Sequence, residues 1–363
     1  GPLAEILEVR EDALLGLTAL CGDLPVRLLP LLPGSTEWTR KTVSVLRADK
    51  LLIRHHKNGV PSLRLTQKGR ALLNRACPER FQPLFTEGYL ARCRKSDPVS
   101  VERLHRTAAV YLLMFRAGVR LYPDEKPPFY QLGNTPYLSV PAFYSSLEVK
   151  GQGPESTRIK ATRAVGLLMG TGYAALVYHT GAAPLKWSSK AEQKLMGAVK
   201  GILIRQRIPL SEIEALMIGA NMGTALDLLQ SEGGNRRQYF RPDGAFPVMR
   251  YLPCDENGIR QLQLLCRPAF YKRLAEVLRS RYDVPGAFPF DSDAAIDGQP
   301  VLFAYDFDLE RIKRFKTVLE LFGKQGHAVC FDFQADCLER YLGRAVRLHL
   351  LDPAAIWKEV GLR

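Results

Sequence analysis

Three sets of residues in this chain have the types and spacing to do chemistry. Pro123-Asp124, followed at a distance by Glu148-Val149-Lys150, supplies two carboxylates and a lysine. Two carboxylates can coordinate Mg²⁺, and a lysine beside them can orient or activate an attacking water. Asp124, Glu148 and Lys150 are thus the catalytic set of one alternative, a metal-dependent nuclease. Short patterns of this kind arise often by chance, and an edge-strand ion pair on a structural sheet is the plainer account. A related reading keeps a nuclease-like frame without activity, as a holder of DNA or of partners. The second set is Asp306 and Asp308 in Tyr305-Asp306-Phe307-Asp308, with Asp332 near the end of the next strand. Carboxylates there sit where α/β sheets bind ligands. They also suit helix N-caps, and capping is the weightier reading.

The third set is basic. Arg40, Lys41, Ser44 and Arg47 fall on one side of an expected helix, with Val43, Leu46 and Leu51 on the other. Arg and Lys reach guanine O6 and N7 in the major groove, and hydroxyls contact bases or phosphates. Thr36 and Trp38 at the head of that helix join the DNA-binding set. So do Arg54, His55, His56 and Lys57 in the hairpin behind it, and Arg64 and Lys68 just beyond. The alternative is a solvated basic face used for protein contacts. Paired histidines suit a metal as well, but no neighbouring ligand is legible, so neither metal nor cofactor is assigned. Arg158, Lys160 and Arg163, and Arg236, Arg237 and Arg241, are further basic patches whose default is a solvated face. No phosphate loop and no nucleophile elbow is legible.

The elements that must position these residues follow from periodicity and breakers. Helical spacing from Asp12 to Leu20 stops at Gly22-Asp23 and Pro25; a short helix follows near Val26 to Leu32. After Pro33-Gly34, Ser35 or Thr36 caps a third helix running to about Lys50. Leu51 to His56 and Ser62 to Leu65 read as strands joined through Lys57-Asn58-Gly59-Val60-Pro61, because Asn and Gly tolerate positive φ. Thr66 to Ala76 is again helical. Helix, helix, helix, hairpin, helix is the order of a winged helix-turn-helix, placed at Glu11 to Ala76.

Residues 79–100, with Pro78 just before and Pro83, Gly88 and Pro98 within, read as a basic connector. Val101 to Ala117 is helical, and Phe143 to Lys150 alternates as a strand. A helix from about Thr157 to Gly170 and the strand Tyr173 to Tyr178 come next. The helix Ser189 to Arg205 and the strand Ala215 to Gly219 complete an alternating middle region. At the end, strands at 300–305, 327–333 and 345–351 alternate with helices at 309–324 and 335–342, which implies parallel pairing. The expected fold class is α/β (α+β overall): a winged helix at 1–78, a connector at 79–100, an α/β body at 101–295 with a restriction-endonuclease-like arrangement as one option, and a β-α-β-α-β segment at 296–363.

Composition bounds what such a chain does. Its 363 residues, 46% hydrophobic and 24% charged, are ordinary for a globular protein, and no apolar run approaches the ~18 residues of a membrane helix. The net charge of +14 favours a polyanionic partner, and residues 1–120 hold 20 Lys and Arg against 11 Asp and Glu. Seven scattered cysteines without a C-x-x-C pair read as reduced thiols of a cytoplasmic protein. Gly1-Pro2 reads as a scar of tag removal, so a native targeting signal need not be in view.

The run Ser35-Thr36-Glu37-Trp38-Thr39-Arg40-Lys41-Thr42-Val43, with the later Arg103-Leu104-His105-Arg106-Thr107-Ala108-Ala109-Val110-Tyr111-Leu112, resembles the replication-relaxation proteins of Gram-positive plasmids and integrative conjugative elements. The resemblance implies a non-cutting DNA-binding accessory factor of a mobile element, positioning a relaxase or replication protein at an origin. The partners expected are double-stranded DNA and that protein; a homodimer is compatible with this. Glu148-Val149-Lys150 and the C-terminal α/β segment depart from the family picture. A nuclease, or a transcriptional regulator whose α/β body senses a ligand, are the alternatives.

Overall fold

A computed structural model describes residues 9–134, 140–150, 162–209, 212–232, 239–286 and 291–361. It is mixed α/β with three sheets. The chain divides into two compact units, Gly1–Phe143 and Tyr144–Arg363. Among the described residues no helix is long and apolar enough to cross a membrane.

The first unit opens with α1 (Val9–Cys21), which buries Leu14, Leu15 and Leu17. The two-residue strand β1 (Leu24–Pro25), a 3₁₀ turn at Val26–Leu31 and α2 (Thr36–Ala48) follow. Strands β2 (Leu52–Lys57) and β3 (Val60–Leu65) pair antiparallel from Leu52↔Leu65 to Lys57↔Val60, and β1 adds to β3, giving the order β1-β3-β2. At the hairpin tip Asn58 and Gly59 both have positive φ, 50° and 78°, as a two-residue turn with right-handed twist requires. Helix α3 (Gln67–Ala76) is capped by Thr66, whose hydroxyl accepts the Gly69 N–H at 3.0 Å.

Two expectations for this unit need correction. Residues 79–100 are not a mere connector: they form α4 (Pro78–Phe81) and α5 (Tyr89–Cys93), and Phe81, Tyr89 and Cys93 are buried. The basic residues suggested a linker because the buried aromatics are spaced too widely to give a period. The next helix, α6 (Pro98–Arg116), belongs to this first unit rather than to the α/β body. Asp97 caps it by accepting the Ser100 N–H at 2.9 Å, and its apolar run from Ala108 to Met114 is buried.

Two further sheets follow among the described residues. The five-stranded sheet has the order β4 (Ala142–Ser145), β5 (Gly166–Gly170), β6 (Tyr173–Gly181), β7 (Glu214–Gly219), β8 (Met249–Pro253). β5 and β6 form an antiparallel hairpin, while β6, β7 and β8 run parallel. The crossovers run through α8 (Ser189–Arg205) and α9 (Met222–Gln230). The four-stranded sheet has the order β12-β11-β10-β9, from β9 (Ala294–Ile296), β10 (Gln299–Phe303), β11 (Gly326–Phe331) and β12 (Val346–Leu351). β10, β11 and β12 are parallel, connected by α12 (Leu309–Phe322) and α13 (Ala335–Leu342). Helices α10 (Glu256–Leu265), α11 (Pro268–Arg279) and α14 (Pro353–Val360) complete the second unit.

The strand expected at Phe143 to Lys150 stops at Ser145, and Ser146–Lys150 is the short helix α7. Ser145 Oγ accepts the Glu148 N–H at 3.3 Å while Glu148 Oε2 accepts the Ser145 N–H at 2.6 Å, a reciprocal capping box. Two local hydrogen bonds thus override the period-two pattern. The helix expected from Thr157 to Gly170 is also corrected: residues 157–161 lie outside the described residues, and Gly166–Gly170 is strand β5. Leu167, Leu168 and Met169 are buried there, which fits a central strand as well as a helix face.

Candidate nucleic-acid interface

The outward face of α2 begins at its cap, where Ser35 Oγ accepts the Trp38 N–H at 3.2 Å. Thr39, Thr42 and Leu46 are buried, with Val43 half-buried, so the packed face keeps the expected Leu46 and Val43 and adds two threonines. Leu51 lies past the helix end and is buried in the turn to β2. Thr39 and Thr42 donate their hydroxyls back to the Ser35 and Trp38 carbonyls, which is how two polar side chains face the interior. The helix exposes Thr36, Arg40, Ser44 and Arg47 in one stripe; Lys41 and Trp38 are exposed too, about 100° and about 160° around the helix from it at 3.6 residues per turn. Trp38 is 44% exposed, a large apolar surface to leave in water. Lys41 lies 3.5 Å from Glu37, an exposed pair of the kind worth little.

Strand β2 runs beside this stripe. Ser44, Arg47 and Ala48 of α2, with Leu52, Ile53 and Arg54 of β2, line an open cavity of about 480 Å³. Arg54 and His56 are exposed on the strand, and Arg64 is half-buried on β3. Lys68 is exposed, but its ammonium donates to the Asp49 carbonyl at 3.0 Å and so serves the C-terminal end of α2.

Two of the residues expected to reach DNA turn inward. Lys57 is only 9% exposed and donates to the Cys93 carbonyl. His55, with a side chain 18% exposed, donates from Nε2 to Asp23 Oδ1 at 2.6 Å. The other oxygen, Oδ2, accepts from His105 Nε2 of α6, also at 2.6 Å. An ionised carboxylate only accepts, so both imidazoles carry their proton on Nε2. Asp23, fully buried in the turn after α1, therefore ties the hairpin to α6. Burial pushes its carboxyl up, but the His105 bond and the charges of Lys57 and both histidines outweigh that and hold it below the usual carboxylate value. Burial, then the charges of Arg64 and Lys57, holds His55 below the ordinary imidazole value against the pull of Asp23. Sequence reasoning missed Asp23 and His105. The available signal was a lone histidine inside the apolar face of α6, which needs a partner somewhere.

The alternative catalytic set is occupied otherwise. Asp124 lies in a 3₁₀ turn and takes a two-pronged bond from Arg80 at 3.0 and 3.2 Å. Glu148 caps α7 and Lys150 ends it, so the E-x-K residues ride a helix, not a strand. Asp306 accepts from Arg250 at 3.2 Å and Tyr271 at 2.8 Å. Asp308 caps α12 by accepting the Glu310 N–H at 3.2 Å; burial and then Asp306 push its carboxyl up to about 6. Asp332 accepts the Phe333 N–H at 2.8 Å. Among the described residues no three His, Cys, Asp or Glu form a metal-holding group. Of the further basic patches, Arg158, Lys160, Arg236 and Arg237 lie outside the described residues. Compared with protein-family models, curated proteins and solved structures, the chain finds no match.

Proposed function

We propose that residues 9–76 are a winged helix that binds double-stranded DNA, with α2 as the recognition helix and β2–β3 as the wing. The observation that carries this is the continuous exposed stripe Thr36, Arg40, Ser44 and Arg47, which meets Arg54 across the open cavity between α2 and β2. Arg40 and Lys41, in the first half of the helix, are the residues for base edges; Arg47, Arg54 and His56 are for the backbone. Trp38 at the helix head adds an aromatic contact. His55 and Lys57 leave the DNA-binding set and hold the wing in place.

The same proposal extends to biology through the resemblance to replication-relaxation proteins: a cytoplasmic accessory factor of a mobile element that positions a relaxase or replication protein at an origin. Its residues Ser35–Val43 are the cap and first half of α2, and Arg103–Leu112 lies within α6, whose His105 anchors the wing. The nuclease alternative is not carried forward, because Glu148 and Lys150 sit on a helix and Asp124 is spent on Arg80.

A gel shift on a duplex covering the element's origin tests the proposal. Two lost base contacts at about 1–3 kcal/mol each predict that Arg40→Ala/Lys41→Ala weakens binding by at least about thirtyfold. Unchanged affinity would sink the recognition-helix assignment. A footprint away from the origin would remove the accessory role while leaving DNA binding intact.

A further inference from the structure

We infer that the outward face of α8 is a second contact for duplex DNA, gripping the phosphate backbone without reading sequence. The inference rests on the reading of this chain as a duplex binder and adds a site in the second unit. Helix α8 buries Leu195, Val199, Ile202 and Leu203. Glu192, the only carboxylate in the helix, is turned inward as well: it accepts the Tyr178 hydroxyl at 2.6 Å and the Arg163 N–H at 2.7 Å. The charge that remains for solvent is all positive, with Gln193 and Ile204, the latter 62% exposed, standing among the cations. Lys190, Lys194, Lys200 and Arg205 are exposed, with Arg207 directly after the helix, and none is paired with a carboxylate among the described residues.

Other helices of the unit are arranged differently. α11 sets an exposed Glu276 among its cations, α12 pairs Lys316 with Glu320, and α13 pairs Arg340 with Asp336. Those are the mixed faces expected of a solvated helix. Lys190 also stands in the first turn of α8, where the helix dipole favours carboxylates, so folding gains nothing from its placement. At 3.6 residues per turn, Lys194 and Arg205 line one side of a strip, Lys200 the other, and Lys190 its head. Gly197 and Gly201 floor the strip, and a Cβ added at Gly197 would meet nothing within 4 Å. A phosphate ridge can therefore approach the helix backbone between the cations. From Lys190 to Arg205 is about 22 Å at ~1.5 Å per residue, the rise of roughly six nucleotides of one strand. Duplex DNA matches this face in charge and length.

The test uses the full chain and a duplex of arbitrary sequence, with binding followed by fluorescence anisotropy across a NaCl series. Each phosphate contact contributes about 0.9 to the slope of log K against log salt. Replacing Lys190, Lys194, Lys200 and Arg205 together by Gln should lower that slope by about 3 to 4 and weaken binding equally on every sequence. Replacing the three lysines by Arg should leave the slope as in wild type. A thermal melt confirms that the Gln variant is folded; with a normal melt, an unchanged slope overturns the inference. Loss of poly-glutamate binding with an unchanged DNA slope also overturns it, and assigns the face to an acidic protein partner. An Arg40→Ala/Lys41→Ala variant separates the two readings. If that variant loses sequence preference while the α8 variant keeps its slope, only the α8 site falls; if wild type binds no duplex, both fall.

Discussion

At the residue scale, one carboxylate decides the shape of the proposed DNA-binding face. Asp23 is fully buried, and its carboxylate is held by hydrogen bonds from His55 and His105 and by the nearby Lys57. Removing the charge leaves two imidazole N–H donors facing an acceptor of lower strength. Breaking a buried charged arrangement from one side typically costs about 3–5 kcal/mol. Asn keeps the shape and one acceptor, so Asp23→Asn should lie at the lower end, about 3 kcal/mol, read from urea unfolding at pH 7; a loss below about 1 kcal/mol would show the triad to be incidental. The pH dependence has a definite sign. Both His55 and Asp23 are held below their ordinary values, so as pH falls the unfolded chain takes up protons first. Their stabilisation is full above the unfolded values, about 6.5 for His and about 3.9 for Asp, and is lost as pH falls through the folded ones. Urea midpoints should therefore start to drop below about pH 6.5 in wild type, with a second drop below about pH 4 that Asp23→Asn lacks. A midpoint that rises on acidification would contradict the assignment.

At the element scale, two glycines of the hairpin region separate conformation from space. Gly59 has φ 78° with open surroundings, so a Cβ there meets only the cost of a left-handed backbone, about 1–2 kcal/mol. Gly69, in the first turn of α3, has ordinary φ, but a Cβ would stand 2.4 Å from the Leu51 carbonyl oxygen. The Thr66 hydroxyl, donating to the Lys50 carbonyl at 2.6 Å, holds that same seam closed. Backbone cannot yield as a side chain can, so Gly69→Ala should destabilise more than Gly59→Ala, by more than about 2 kcal/mol, in paired chemical melts. The reverse order would mean that α3 is free to move off the α2–β2 turn. The same contrast explains what was legible in the sequence. Asn58-Gly59 announces its turn because φ is written in residue type; Ser35 and Asp308 announce their caps for the same reason. Gly69 announces nothing, since its neighbour is a carbonyl eighteen residues earlier. The E-x-K strand failed on a signal that was present: Ser145 and Glu148 stand three apart, the spacing of a capping box, and their bonds outweigh alternation across Phe143 to Lys150. In the candidate site, Arg40, Ser44, Arg47 and Arg54 were legible from helical and strand periods. The inward turn of His55 and Lys57 was not, because it depends on Asp23, Cys93 and His105, which lie far away in the chain.

At the scale of the whole molecule, the cysteines report on packing in both units without reference to function. None of the seven is in a disulfide, and five are buried: Cys21 and Cys93 in the first unit, Cys266, Cys330 and Cys337 in the second. Burial pushes the thiols of Cys266, Cys330 and Cys337 up to about 12, and raises Cys21 and Cys93 as well. A thiol attacks only as thiolate, so these five are shielded twice, by access and by protonation. Cys77 and Cys254 are half-buried and so are less shielded from access. Native protein at pH 8 should thus react with a chromogenic disulfide reagent at about two thiols, and all seven should react in denaturant. Because no cross-link contributes to either core, adding a reductant should leave the melting temperature unchanged. The count assigns any failure to its unit. Peptide mapping that finds Cys21 or Cys93 labelled in the native state would place an opening beside the hairpin that carries the proposed DNA contacts. Labelling of Cys330 or Cys337 would place it in the parallel sheet, where β11 is buried throughout and α13 buries Cys337, Leu338, Tyr341 and Leu342. Native labelling confined to Cys77 and Cys254 requires both cores to be shut at once, which is the packing that the recognition stripe and the α8 face each need behind them.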